Sequence, residues 1–378
     1  DEVTQRLTPL VQQTDSTEIA AMEQSLIADG RPIGEIQRMC DTHAQVLHEI
    51  AAESVTIEVE PGHPIDTFQR ENDALQQVVD RLTPMVQRLA GAKTLSEPVA
   101  DGLRAGLAEL MDLDQHYQRT ENLLVACLER HGIDGPSRVM WAKDDEVREL
   151  LRDAEQALRA SPTEPVAVCS ALGAALQAVA GMIAKEQRVL LPLAYQTLTA
   201  EQWGEIWLQS PEYGWCLVEP GEGYHPPPSV APAKAATVAT DAALAFPTGH
   251  LSPEQLRGLF AVLPLDLTFV DADDRVRYFS EGPQRIFARS KAILGRKVHH
   301  CHPPKSVHIV EQILADFKTG GQSVAEFWIE LHGRFVHIRY FAVRDQDGGY
   351  LGTLEVTQDL TPLRALQGEQ RLLSWSAS

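Results

Sequence analysis

Positive charge is what this sequence has least of. It carries 33 lysines and arginines against 53 aspartates and glutamates, a formal net charge of −20. A polyanion of that size is repelled by nucleic acid and by anionic membranes unless its cations gather in one patch, and no such patch stands out. No run approaches the roughly 20 apolar residues a membrane-spanning helix needs, and no signal-peptide pattern opens the chain. Cysteine is sparse as well. Cys40, Cys127, Cys169, Cys216 and Cys301 are an odd, scattered set without a CxxC pair, which fits a reducing cytoplasm better than a disulfide framework. The expectation is a cytoplasmic protein that meets small ligands, metal cations or other proteins, with no nucleic acid and no membrane.

What is present is ordinary globular composition, 44% hydrophobic and 23% charged over 378 residues, too long for one compact core and enough for two or three domains. Residues 1–57 read as a small helical domain. Within it Asp15-Ser16-Thr17-Glu18 is a capping signature, and Glu35 to Leu47 carries Ile36, Met39, Cys40, His43, Val46 and Leu47 on one helix face. A short β-rich break, Thr56 to Pro61, follows. Residues 58–219 read as four long helices with short connections, hence an antiparallel bundle, plus one helix capped by Thr199-Ala200-Glu201-Gln202. Pro- and Ala-rich residues 220–249 read as an extended or partly disordered linker. Residues 250–378 change period. Ser252-Pro253-Glu254-Gln255 opens a helix, Leu267–Asp271 and Val276–Phe279 flank an Asp-rich hairpin turn, a helix spans Ser306 to Phe317, and three strands close the domain.

Three groups of residues carry metal- or redox-capable chemistry. Cys40 and His43, at i and i+3, share a helix face; that face is also apolar, so a buried thiol beside a satisfied core histidine is the plain alternative. In the bundle, His63, Glu71, His116, Glu121, Asp144, Asp145 and Glu186 are imidazoles and carboxylates distributed over four helices. Inward-facing sets of this kind build di-iron and di-manganese sites, although scattered acids are usually solvated. The third group is His299-His300-Cys301-His302-Pro303-Pro304 with His308. Its thiol and imidazoles suit zinc, haem iron or a redox-sensitive cysteine, unless the prolines merely start a helix and leave the histidines exposed.

Two stretches, His116-Tyr117-Gln118-Arg119-Thr120-Glu121-Asn122-Leu123-Leu124 and Met182 through Pro192, look like copies of one pattern. That pattern resembles the hemerythrin-like HHE family, in which His-x-x-x-Glu helices hold a non-haem di-iron centre. The resemblance implies His63 as a first-helix ligand, His116 as a second-helix ligand and Glu186 as a bridging carboxylate. The sequence departs from the family at three places. Thr120 stands four after His116, with Glu121 about 140° round an ideal α-helix from that histidine. Met182 stands four before Glu186, and the third helix offers Asp144, Asp145 and Glu146 where a histidine is expected. A mononuclear or altered carboxylate-rich site and a bundle without metal both stay open.

The C-terminal element order resembles a PAS domain, which cups small ligands between its sheet and helices; Gly295 to Pro303 stands where such domains line the pocket. With Glu35–His43, Val139-Met140-Trp141, Pro264–Asp271, Cys301–Val307 and Gly352–Asp359, the whole chain is similar to a bacterial family combining a small helical N-terminal domain, a hemerythrin-like domain and a terminal PAS domain. The implied fold class is multidomain: an all-α N-terminal region with a hemerythrin-like four-helix bundle, and an α+β PAS-like domain. The implied function is a sensor or regulator coupling a metal or redox site to the PAS module. Its metal ligands would come from His63, His116, Glu186, Glu121, Asp145, Cys40 and His43. Its PAS cofactor, haem or another small ligand, would be held by Cys301, His302, His299 and His308. Non-haem iron, mono- or dinuclear, is the cofactor implied for the bundle. A non-haem enzyme for oxygen, peroxide or nitric oxide chemistry, a haem-binding PAS sensor and a metal-free adaptor are the alternatives. No output domain follows Asp359, so a protein partner or a homodimer would carry the signal.

Overall fold

Apolar residues recur every third or fourth position through residues 64–209, and in the computed structural model these stretches are helices. The structure describes residues 56–133, 135–160, 163–230, 244–282, 285–287 and 289–369. The expectations for residues 1–55, including Cys40, His43 and the capping signature at Asp15, lie outside them. The chain divides into two compact units. One takes Asp1–Ala236, Ser290–Arg296 and His300–Val307; the other takes Thr237–Arg289, Lys297–His299 and His308–Ser378.

In the helical unit, α1 (Pro64–Leu89) starts at His63, whose Nδ1 accepts the Ile65 N–H at 3.1 Å, with proline at the first position. The second long segment is α2 (Glu97–Met111), α3 (Leu113–Arg119), a π turn at Thr120–Leu124 and α4 (Val125–Arg130). The third is α5 (Gly135–Arg159). The fourth is α6 (Pro165–Lys185), a second π turn at Glu186–Leu190 and α7 (Leu191–Thr197). Both α1 and α5 pack against α2 and α6, so the four segments form a ring around a core that includes Phe68, Leu75, Leu82, Leu110 and Leu172. α8 (Ala200–Gln209) follows, and the expected Thr199–Gln202 capping box forms.

Three expectations need correction here. Residues 56–60 form no strand: Ile57 instead pairs its N–H and C=O with the side chain of Gln69 at 2.8 and 3.1 Å. The start of the expected linker is packed rather than free. Tyr224 donates its N–H to Pro61 C=O, Pro226 and Pro227 border Gly204, and Pro228–Val230 makes a 3-10 turn. Finally, Pro165–Thr197 is long and apolar enough to cross a membrane by length and composition. In this structure it is α6 and α7, and only 39% of its most apolar 18-residue window is buried.

The second unit opens on a hairpin, β1 (Leu244–Phe246) and β2 (Gly249–Leu251), across the end of the expected linker, followed by α9 (Pro253–Val262) behind the expected Ser252–Gln255 capping box. Its sheet has β3 (Asp266–Asp271), β4 (Val276–Phe279), β5 (Val324–Leu331), β6 (Arg334–Arg344) and β7 (Tyr350–Asp359), ordered β4-β3-β7-β6-β5 and antiparallel throughout. α10 (Pro304–Thr319) leads into β5, and α11 (Thr361–Arg364) follows β7. Turn chemistry matches the sequence. Asp271 Oδ1 accepts from Asp273 and Arg275 N–H, and His332-Gly333 turns with φ of 49° and 75°, as a type I′ hairpin requires.

Gly352, at φ 153° on β7, faces Asp271 across the ladder, and a Cβ there would stand 2.2 Å from Val270 C=O. Gly352→Ala is expected to destabilise this unit by about 1–3 kcal/mol, measured by thermal unfolding. Gly282→Ala, where a Cβ meets nothing within 4 Å, is the neutral control.

Candidate functional site

Burial decides the chemistry of the bundle interior, because a charge removed from water must find an opposite partner. His116 on α3 is fully buried. Its Nδ1 lies 2.7 Å from Glu71 Oε2 of α1 and its Nε2 lies 2.7 Å from Glu186 Oε2 of the second π turn. Burial alone would lower the imidazole, but the charges and hydrogen bonds of Glu186 and Glu71 raise it to about 9. With both ring nitrogens facing carboxylates, His116 is a doubly donating imidazolium. Asn72 Nδ2 donates to the same Glu186 oxygen at 2.9 Å. Arg119, one turn beyond His116 and also buried, pairs with Glu71 and lies between Phe68 and Trp215, 5.1 and 4.7 Å from their ring centres. Burial would raise Glu71, yet His116 and Arg119 hold it below the ordinary carboxylate range.

A second group adjoins the first. Burial raises Glu121 against the pull of Arg148, whose Nη1 is 2.8 Å away. Burial and the neighbouring Glu121 charge raise Asp144 well above the ordinary range. As a carboxylate, Asp144 would leave both oxygens without a hydrogen-bond partner; as an acid it donates to Glu121. Glu71, Glu186 and Glu121 then balance His116, Arg119 and Arg148. The rim of Arg148 is completed by Asp114 at 2.7 Å and Asp145 at 3.3 Å.

The loop after α8 closes over this network. Cys216 donates its backbone N–H to Glu71 Oε1 at 2.8 Å, and its own thiol is buried and pushed up by that burial. Leu217 holds φ at 59°, a conformation a leucine adopts only under constraint.

The structure therefore brings together His116, Glu186, Glu71, Glu121 and Asp144, with Asp145 at the edge. The alternative that these acids are solvated does not hold for the four that are buried. His63 stands apart in its contacts: its ring lies 5.0 Å from Trp203 and 4.7 Å from Tyr224, and burial lowers it to about 4. The 140° separation of His116 and Glu121 assumed an unbroken α-helix, and the π turn beginning at Thr120 removes that premise. Sequence reasoning passed over Arg119, Arg148, Asn72 and Trp215. An arginine three residues after His116 and another four after Asp144 were the available signals.

The C-terminal set is divided. Cys301 and His302 belong to the helical unit, His299 and His308 to the other. In the helical unit, buried Arg296 pairs with Glu129. Burial would raise Glu129, but His300 and Arg296 hold it at about 2. In the second unit the strand register puts Thr268, Tyr340, Glu355 and Thr357 on one face of the sheet. Arg289 is 3.7 Å from Glu355, and burial, then the Glu355 charge, pushes the Tyr340 hydroxyl up. None of the four expected cofactor residues is on these strands.

Comparison with known proteins agrees with this geometry. Residues 63–194 match the hemerythrin HHE cation binding domain, residues 256–361 match a PAS domain, and residues 1–53 match a family of unknown function (DUF438). The chain is thus a multidomain protein with an all-α hemerythrin-like part and an α+β PAS part. It joins, in order, a DUF438 segment, a hemerythrin HHE domain and a PAS domain. Among solved structures it is similar to the C-terminal domain of a protein from Streptococcus mutans, at 34% identity and TM-score 0.32, over 33% of this chain and 98% of that one. It is also similar to a PAS domain from Colwellia psychrerythraea, at 14% identity and TM-score 0.24, over 29% and 97%. A sensory box sensor histidine kinase from Vibrio cholerae follows, at 16% identity and TM-score 0.22, over 28% and 89%. No curated protein matches the chain.

The residues at the hemerythrin position do not fit a histidine-ligated iron centre. A metal needs a free imidazole lone pair, and both nitrogens of His116 are committed to carboxylates. Met182 supplies no replacement. Among the described residues, no group of three or more His, Cys, Asp or Glu side chains is arranged to hold a metal ion.

The network makes stability depend on pH. Folding raises His116 from 6.5 to about 9, so its contribution is complete below pH 6.5 and is lost as pH rises through 9. The expected loss is roughly 3 kcal/mol, since each tenfold gain in proton affinity on folding is worth about 1.4 kcal/mol. Urea unfolding between pH 6 and 9.5 measures it, and His116→Gln should flatten the curve over that window.

Proposed function

We propose that this chain is a cytoplasmic sensory or regulatory protein in which the hemerythrin-like bundle works as a metal-independent module and the PAS unit receives the signal. The observation that carries this reading is His116, held by Glu71 and Glu186 through both ring nitrogens in a charge-balanced interior. Pairing of a hemerythrin domain with a PAS domain supports a regulatory role. The buried Glu355 and the half-buried Tyr340 and Arg289 of the PAS unit give a small polar ligand groups to bind. The four described cysteines are free thiols, as a reducing compartment keeps them. Output passes to a protein partner or to a second copy of the chain.

One observation favours a second reading, a sensor with an altered, carboxylate-rich cation site. Glu186 Oε1 is a buried acceptor without a hydrogen-bond partner, and so are both Asp144 oxygens whenever that group is ionised. A hard or borderline cation displacing the protons of Asp144 and His116 would satisfy them, with Glu71, Glu121, Asp144 and Glu186 as the oxygen donors.

Metal analysis and absorption spectra of anaerobically purified full-length protein decide between the two. The metal-independent reading expects substoichiometric iron and a spectrum unchanged by His116→Ala. Stoichiometric metal, with a charge-transfer band lost in Glu186→Gln, would replace it with the second reading. A Soret band would assign haem to the PAS unit.

A further inference from the structure

α6 is the most apolar helix of the bundle, yet much of it is uncovered. Less than half of its 18-residue apolar window is buried. Its outward side lies in a groove of about 870 Å³ flanked by α1 and α5. Ala174, Ala178, Gly181 and Ala184 form the floor, and Val79 of α1 and Val147 of α5 stand at the walls. Such small side chains leave the α6 backbone recessed between its neighbours, so another helix can lay a ridge of larger apolar side chains along it. Gln76, Asp80, Gln87, Lys143, Glu146 and Lys185 line the same groove, so an apolar floor meets polar side chains at its edges, the arrangement of an interaction surface.

We propose that the groove over α6 is covered by the chain's own N-terminal segment, residues 35–47, docked as an amphipathic helix. Two observations favour this occupant. The first is attachment. Ile57 is pinned to Gln69 near the start of α1 by two hydrogen bonds, which fixes the point from which the segment is tethered. Residues 48–55, at up to about 3.4 Å each, span roughly 27 Å. The groove-lining positions Gln76 to Gln87 lie about 10–27 Å along α1 from Gln69 at 1.5 Å per residue. The segment therefore reaches the whole groove. The second is chemistry. Ile36, Met39, Cys40, His43, Val46 and Leu47 fall on one helical stripe by their spacing, a helix-in-groove pattern of larger residues to set against alanine and glycine. A second copy of the chain or a lipid surface would use the same apolar floor without needing that attachment, and each predicts a different product below.

The test places a photo-crosslinking amino acid at Ala174 or Ala178, both on the groove floor, in the full-length protein. Equal amounts of ¹⁴N- and ¹⁵N-labelled chains are mixed before irradiation. The expected product is monomer-sized, joins the probe to residues 35–47 and contains one isotope only. Mixed-isotope products, products trapped only on anionic vesicles, links to another segment, or no link at all would each overturn the proposal. Gly181→Trp fills a position where a Cβ meets nothing within 4 Å. It should abolish the crosslink and remove hydrogen-exchange protection from residues 35–47 while helical circular dichroism is retained. Unchanged protection of that segment in a folded Gly181→Trp variant also counts against it.

Discussion

A single imidazole wedged between two carboxylates sets the terms for the helical unit. His116 sits at zero exposure with Glu71 on one side and Glu186 on the other, so three helical segments are joined through one ring. Charges in such surroundings are tolerated only when every one is answered. Arg119 answers the second oxygen of Glu71, Asn72 supports Glu186, and Trp215 and Phe68 flank the guanidinium. The loop that brings Trp215 also brings the Cys216 N–H to Glu71. Positions that look unrelated along the chain are tied to one electrostatic requirement.

That requirement is met on a hemerythrin-like scaffold. The fold persists because its core is apolar and its four segments pack in a ring, and neither property needs an ion at the centre. Hydrogen bonds from His116 to Glu71 and Glu186 cross between those segments. The PAS unit repeats the theme on a smaller scale, with half-buried Arg289 near Glu355 of an antiparallel sheet. Each unit thus keeps a polar cluster of its own.

Much of the fold was legible from period and punctuation. Both capping boxes form, the helices lie where a 3.6-residue repeat put them, and the Asp271 and His332-Gly333 turns follow from residues that tolerate those conformations. The candidate site was legible only in part. His116, Glu186, Glu71, Glu121 and Asp144 were visible as donors, but their roles were not. Whether an imidazole is a ligand or a cation depends on what faces its two nitrogens, and Glu71 is 45 residues away in sequence. His63 illustrates the opposite case. Its position in the chain matches the family, while its ring is taken up by helix capping and by Trp203 and Tyr224. The β-rich break at Thr56 failed for a simpler reason. Alternating residues there found a glutamine side chain instead of a strand.

The two π turns have a consequence for how the sequence counts. Each occupies a helix at the level of the buried network, Thr120–Leu124 after His116 and Glu186–Leu190 at the bridging glutamate. In the second, Pro192 withholds the N–H that an α-helix would direct at Arg188, which favours the wider turn. A π turn absorbs one extra residue, so the side chains beyond it keep step with each other but not with those before it. Leu123 through Leu128 are six consecutive residues, each 2% exposed or less, a run no single helical stripe could bury. The phase of the apolar stripe resets within that run, and the two halves of each helix read as separate words, with the chemistry lying at the join.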